Sequence, residues 1–213
     1  MEREWNENHV LLRGVAQEAP VFSHENRGER YTVFPLAVKR LSGTVDTLPV
    51  LASSQALAAC PVKPGMSMEV EGELRSFNNK SGRGRRLVLS VFARRMAASG
   101  EPDQNHLILE GVICKKPALR RTPLGREICD FILAVNRKYG RADYLPCISW
   151  GHVAAQTAAL EVGSQLRLEG RMQSRTYIKV LDGESTERTA FEVSVMRLEK
   201  WGCSADHEKR CIL

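Results

Sequence analysis

Apolar positions along this chain fall into short runs and alternations that suit strands better than helices. In the second half, His106–Cys114 is an apolar run closing on Lys115, Lys116 and Pro117, which predicts a strand. "EICDFILAVN" (Glu127–Asn136), rich in branched and aromatic residues, predicts a second, and Tyr144–Trp150 a third. Gly151–Leu160 ("GHVAAQTAAL") is Ala-rich, long enough for a short helix, and stops before Gly163. Across Gln165–Arg175, Leu166, Leu168 and Met172 face one way and Arg167, Glu169 and Arg171 the other. Thr189–Glu199 alternates again. The predicted order is three strands, a helix and two strands.

That order occurs twice. "NHVLLRGV" at Asn8–Val15 returns as "NHLILEGV" at Asn105–Val112. A spacing of 97 holds for Gly14/Gly111, Pro20/Pro117, Phe34/Phe131, Ala37/Ala134, Val38/Val135, Asp46/Asp143 and Pro49/Pro146. One insertion makes it 98 for Gly65/Gly163, Gly72/Gly170 and Ser76/Ser174. Such a period exceeds the roughly 20–50 residues of a solenoid repeat, so each copy must close its own core. "AASGEPDQ" (Ala97–Gln104), small and polar with Gly and Pro, reads as the linker.

A helix between strands three and four is the arrangement of the OB-fold, a five-stranded, partly open Greek-key barrel. The expected fold is therefore all-β: two tandem five-stranded OB-fold barrels, each with a short helix between its third and fourth strands. The first copy follows the same order and ends at Leu87–Met96. Gly14, Gly72, Gly111 and Gly170, inside strands one and four, suit tight barrel bends. A different small β-barrel would satisfy the same pattern. The expected domains are an N-terminal barrel over 1–98, a linker over 99–104, a C-terminal barrel over 105–201 and a tail over 202–213.

Charge changes this picture little. The 213 residues carry a formal net charge of +6. Residues 1–100 hold 14 Lys and Arg against 10 Asp and Glu, and residues 101–213 hold 17 against 15. Neither half is a basic tail, so contacts to a polyanion must come from local patches. None of the six cysteines forms a C-x-x-C pair or lies at zinc-ligand spacing from a histidine. Cys114, Cys129 and Cys147 sit in apolar runs, where a reduced thiol acts as a small core residue. No metal or cofactor is expected. Met1–Asn8 is too polar and acidic for a signal peptide, and no apolar run approaches about 18 residues. The reading is a chain in a reducing cytoplasm, without a membrane partner.

Candidate chemistry concentrates in the second copy. OB barrels bind oligonucleotides or sugars on one face and its loops. Single-strand binders place aromatics there because any base can stack. Tyr139, Tyr144, Trp150 and Tyr177 fall at predicted strand ends or loops, among Arg120, Arg121, Arg126, Arg137, Lys138, Arg141, Arg171, Arg175 and Lys179. Each also has a plainer reading. Trp150 suits a packed core position, the tyrosines suit barrel caps with wet hydroxyls, and scattered arginines suit a solvated face.

Residues 105–199 resemble the bacterial single-stranded DNA-binding protein family. The resemblance rests on "KPALRRTPLGREICDFILAVNR" (Lys116–Arg137), "DYLPCISWG" (Asp143–Gly151), "VGSQLRLEGRMQSRTY" (Val162–Tyr177) and "FEVSVMRLE". It implies that Tyr139, Tyr144, Trp150 and Tyr177 stack on bases, with Arg121, Arg137, Arg171 and Arg175 along the phosphates. At the corresponding first-copy positions stand Ser42, Thr47, Ser53 and Asn79, so that copy is expected to have lost most of its platform. Phe77 is a possible substitute for Asn79. "NNKSGRGRR" (Asn78–Arg86) supplies Lys80, Arg83, Arg85 and Arg86, which suit either phosphate contact or a solvated turn. The resemblance further implies single-stranded DNA as partner, a role in replication, recombination or repair beside the nucleoid, and a homodimer carrying four OB folds. "GCSADHEKRCIL" lacks the acidic tip through which family members recruit partners.

Two other classes compete. An assembly module like the primosomal OB proteins would explain the degenerate first copy and predicts weak DNA binding. An enzyme is not expected: no phosphate-cradling glycine loop, nucleophile elbow or acid–base pair among the five histidines is present.

Overall fold

The structure, a computed structural model, describes residues 7–78, 87–137, 140–181 and 184–200. Alternating burial builds its strands. In β1 (Asn8–Ala16), Val10, Leu12 and Ala16 are buried, with less covered residues between them. Next come β2 (Val21–Asn26), β3 (Glu29–Lys39), β4 (Val45–Ser53), helix α1 (Ser54–Ala59), β5 (Ser67–Asn78) and β6 (Leu87–Ala98). The second half comprises β7 (Gln104–Arg121), β8 (Glu127–Arg137), β9 (Arg141–Trp150), helix α2 (His152–Ala158), β10 (Gln165–Leu181) and β11 (Glu184–Lys200). Among the described residues no helix is long and apolar enough to cross a membrane.

Pairing runs around a circuit in each half. β1 pairs with β5, β5 with β6, β6 with β4, β4 with β3, and β3 returns to β1. In the second half the sequence is β7, β10, β11, β9, β8 and back to β7. The pairs β4–β6 and β9–β11 are parallel and the rest antiparallel. Phe34, Leu36, Leu48 and Leu74 are fully enclosed on one side, and Leu107, Leu133, Leu145 and Met172 on the other. Glycine makes the tight approaches possible. A Cβ on Gly72 would stand 2.1 Å from the Phe92 carbonyl oxygen, and one on its repeat Gly170 2.4 Å from that of Ser194. A register shift precedes each of these two glycines.

Several boundaries differ from the sequence-based expectation. The first strand of the second half continues beyond Cys114 to Arg121, because residues after two register shifts re-pair with Glu127–Asp130. The equivalent stretch of the first half is the separate strand β2, extra to the expected order, joined to β3 by a two-residue turn. Arg27 (φ 52°) and Gly28 (φ 78°) form that turn, both left-handed as a hairpin of this kind requires. β10 runs to Leu181 rather than Arg175, so Tyr177 lies inside a strand, opposite Arg188. Cys129 and Cys147 are buried as expected, but Cys114 is exposed. It follows the inward Ile113 at the first register shift, which leaves it on the outer side.

A strand pair and two polar clusters join the two halves. β1 and β7 pair antiparallel from Asn8↔Leu109 to Arg13↔Gln104. Two reciprocal polar clusters flank this seam. The Asp46 carboxylate, fully buried, accepts hydrogen bonds from Arg40 at 2.6 Å and from the Ser174 N–H and hydroxyl at 2.7 and 2.9 Å. Its repeat Asp143, also fully buried, takes both arms of Arg137 and the Ser76 N–H, while Arg137 Nη2 donates to the Ser76 carbonyl at 2.9 Å. Each aspartate and arginine thus grips the serine of the opposite half.

Candidate nucleic-acid interface

Side chains alternate along a strand, so residues two apart share a side. On β9, Asp143, Leu145, Cys147 and Ser149 are buried, which puts Tyr144, Pro146, Ile148 and Trp150 on the other side, where Ile148 is itself covered and Tyr144 and Trp150 are open. Tyr144 (52% exposed) and Trp150 (38%) therefore lie on one side, about 20 Å apart at roughly 3.3 Å per residue. Trp150 is opposite Ile128 on β8, and Ile128 opposite Arg120 on β7, so cation, aliphatic and ring share one rung. Ile128 is only 2% exposed, whereas Trp150 stays partly open.

On β10, Met172 and Gln173 are buried, Arg171 is half-buried, and Arg175 and Tyr177 are exposed. Tyr177 is 37% exposed, with the Arg175 guanidinium carbon 5.8 Å from its ring centre. Arg175 Nε stands 3.8 Å from Glu192, whose carboxylate also accepts from Gln173 at 2.8 Å.

The cations differ in how firmly they are held. Arg121, with a side chain 75% exposed, meets Glu127 at 3.1 Å. Arg120 pairs with the similarly open Asp130. Exposed pairs of this kind contribute about 0–1 kcal/mol, so a phosphate could take the place of the carboxylate. Arg137 is different, because its partner Asp143 is fully buried and its guanidinium already bridges to the other half. Arg171 is half-buried, and its Nε finds no hydrogen-bond partner among the described residues. Burial, followed by repulsion from Arg40, holds its pKa below the usual arginine range.

Tyr144 is placed by the seam between halves. Its N–H donates to the Ser76 hydroxyl at 2.9 Å, next to Asp143, which fastens the Ser76 backbone. Sequence reading noted Asp143 and Ser76 only as repeat markers. Their recurrence with Asp46 and Ser174 was the available signal, but the pairing between copies was not visible in it.

In the first half, Phe77 is 48% exposed at the end of β5. Ser53, the counterpart of Trp150, caps α1 by accepting the Ala56 N–H at 3.1 Å. Tyr139, Lys80, Arg83, Arg85 and Arg86 lie outside the described residues. Among the described residues no group of three or more His, Cys, Asp and Glu side chains could hold a metal ion.

Residues 104–200 match the model of the Single-strand binding protein family. The chain is 31% identical over 105 residues to a single-stranded DNA-binding protein of Clostridium tetani, covering 46% of this chain and 72% of that protein. It is 38% identical over 80 residues to single-stranded DNA-binding protein A of Bacillus subtilis, covering 34% of this chain and 46% of that protein. The chain thus spans about half the length of the Bacillus relative. The wild-type single-stranded DNA binding protein of Thermus aquaticus superposes with a TM-score of 0.76 at 22% identity. That superposition takes in 92% of this chain and 94% of the other, so the shared fold extends over both halves.

Proposed function

The chain belongs to the single-strand binding protein family, and from that premise we propose that it binds single-stranded DNA without sequence preference, chiefly through its C-terminal half. The carrying observation is the outward side of β9 and β10, where Tyr144, Trp150 and Tyr177 stand partly open with Arg175 beside them. Flat rings accept any base at about 1–3 kcal/mol each, and nearby guanidiniums follow the phosphates. Tyr139 is the fourth ring in this reading. Arg121, Arg171 and Arg175 serve as backbone contacts, with Phe77, Lys80, Arg83, Arg85 and Arg86 extending the path. Arg137 acts as an anchor between halves rather than as a phosphate contact, because Asp143 and Ser76 already engage it.

The closed pairing circuits support two tandem OB barrels, over 1–98 and 105–201, joined by a linker over 99–104. Two such barrels per chain suit a homodimer with four. The cellular setting that fits this binding is replication, recombination or repair.

Titration of the full chain with labelled oligothymidine tests the proposal. Binding should weaken with salt at a log–log slope of about −0.7 per phosphate neutralised. Weak binding without salt dependence would instead favour a protein-assembly module.

A further inference from the structure

The N-terminal half carries a second row of rings, at positions where the C-terminal half has none. His24 on β2 stacks on Tyr31 on β3, with centroids 5.0 Å apart and planes 16° from parallel. Tyr31 in turn meets Phe92 on β6 at 5.8 Å and 45°. Register explains how rings on non-adjacent strands touch. Tyr31 lies opposite Ser53 on β4, and Phe92 opposite Leu51, two residues away on the same side of that strand. A small side chain at 53 leaves Tyr31 room to lean across β4. The corresponding rung of the C-terminal half is Ile128–Trp150. The large ring has changed strands, and the position that lost it caps a helix instead.

Cations frame this row. The guanidinium carbons of Arg75 and Arg94 stand 4.7 and 4.8 Å from the Phe92 ring centre. Glu73 holds both Arg75 and Arg94, at 2.5 and 2.7 Å, so two positive charges meet one negative. The surface is open at both ends: the Arg94 side chain is 56% exposed, and His24 is exposed.

We infer that the outward face from His24 through Tyr31 to Phe92 is a second contact for single-stranded DNA, engaged by strands too long for the C-terminal surface alone. Rings with adjoining guanidiniums suit unpaired bases and their phosphates. This rests on the binding function proposed above. One strand reaching both faces gains affinity over either contact alone.

The test uses the full chain with fluorescently labelled oligothymidines of about 12 nucleotides, within the span of one OB fold, and of about 32. Tyr31→Leu keeps an apolar contact on Phe92 but removes the flat ring, and Tyr31→Phe keeps the ring. By anisotropy, Tyr31→Leu should bind the short strand as the unaltered chain does. It should bind the long strand about 5- to 150-fold more weakly, while Tyr31→Phe stays near the unaltered affinity. Unchanged binding of the long strand, or equal losses at both lengths, overturns the inference. So does collapse of the thermal transition in Tyr31→Leu, which would make the row a structural cap. Failure of the unaltered chain to bind either length would refute the underlying function, and is seen before any variant is compared.

Discussion

Replacing Arg137 by Gln separates two roles that this residue could have. In the structure its guanidinium grips Asp143, whose side chain is fully buried, and donates to the Ser76 carbonyl at 2.9 Å. Removing one partner of a buried ion pair costs about 3–5 kcal/mol, because the remaining charge is left uncompensated. Here the Arg137 side chain is 23% exposed, so water partly screens the pair. Asp143 also keeps its hydrogen bond from the Ser76 N–H. Both features place the expected loss near the lower end, about 3 kcal/mol. Urea unfolding with Asp143→Asn and the double variant should give strongly non-additive losses, since the residues share one interaction. The salt slope for oligothymidine should stay unchanged in Arg137→Gln, with affinity lowered modestly through Tyr144. Unaltered stability together with a slope flattened by about 0.7 would refute this account and make Arg137 a phosphate contact.

Trp150→Ala should weaken oligothymidine binding by about 1–3 kcal/mol with the fold retained, and strand binding should quench the indole fluorescence of the unaltered chain. Unfolding of that variant would identify the ring as core. Changing Arg83, Arg85 and Arg86 together to Ala should flatten the salt slope, and an unchanged slope would make that hairpin a bystander. Acid should weaken the seam. Burial alone would raise the Asp46 carboxyl, but hydrogen bonds from Arg40 and Ser174 hold it below the usual range. Its contribution is complete above the unfolded value of about 3.9 and disappears as pH falls through the lower folded value. The urea midpoint of Asp46→Asn should therefore vary less with pH below about 4 than that of the unaltered chain. Gly72→Ala should cost about 1–3 kcal/mol or more in urea unfolding, because its Cβ would stand 2.1 Å from a carbonyl oxygen.

Alternation and repetition made much of the architecture legible from residues alone. Strands, both helices and the inward positions follow from local periodicity, a property each segment carries by itself. The outward placement of Tyr144 and Trp150 was not legible in the same way, because Trp150 suited a packed core position equally well and Ile148, on the same side of the strand, is buried. Strand ends were less legible. Pro117 and the lysines before it read as a stop, but register shifts let β7 pass them and pair again.

What only the tertiary structure decided lies between strands and between copies. Position-by-position comparison found Ser53 where Trp150 stands, and missed the ring on its cross-strand neighbour Tyr31, because pairing is absent from linear spacing. The repeated Asp and Ser positions signalled two similar units, but not that each unit's aspartate binds the other's serine. Local pattern depends on neighbours a few residues away. These contacts join residues as many as 128 positions apart, so they exist only once both halves have folded against each other.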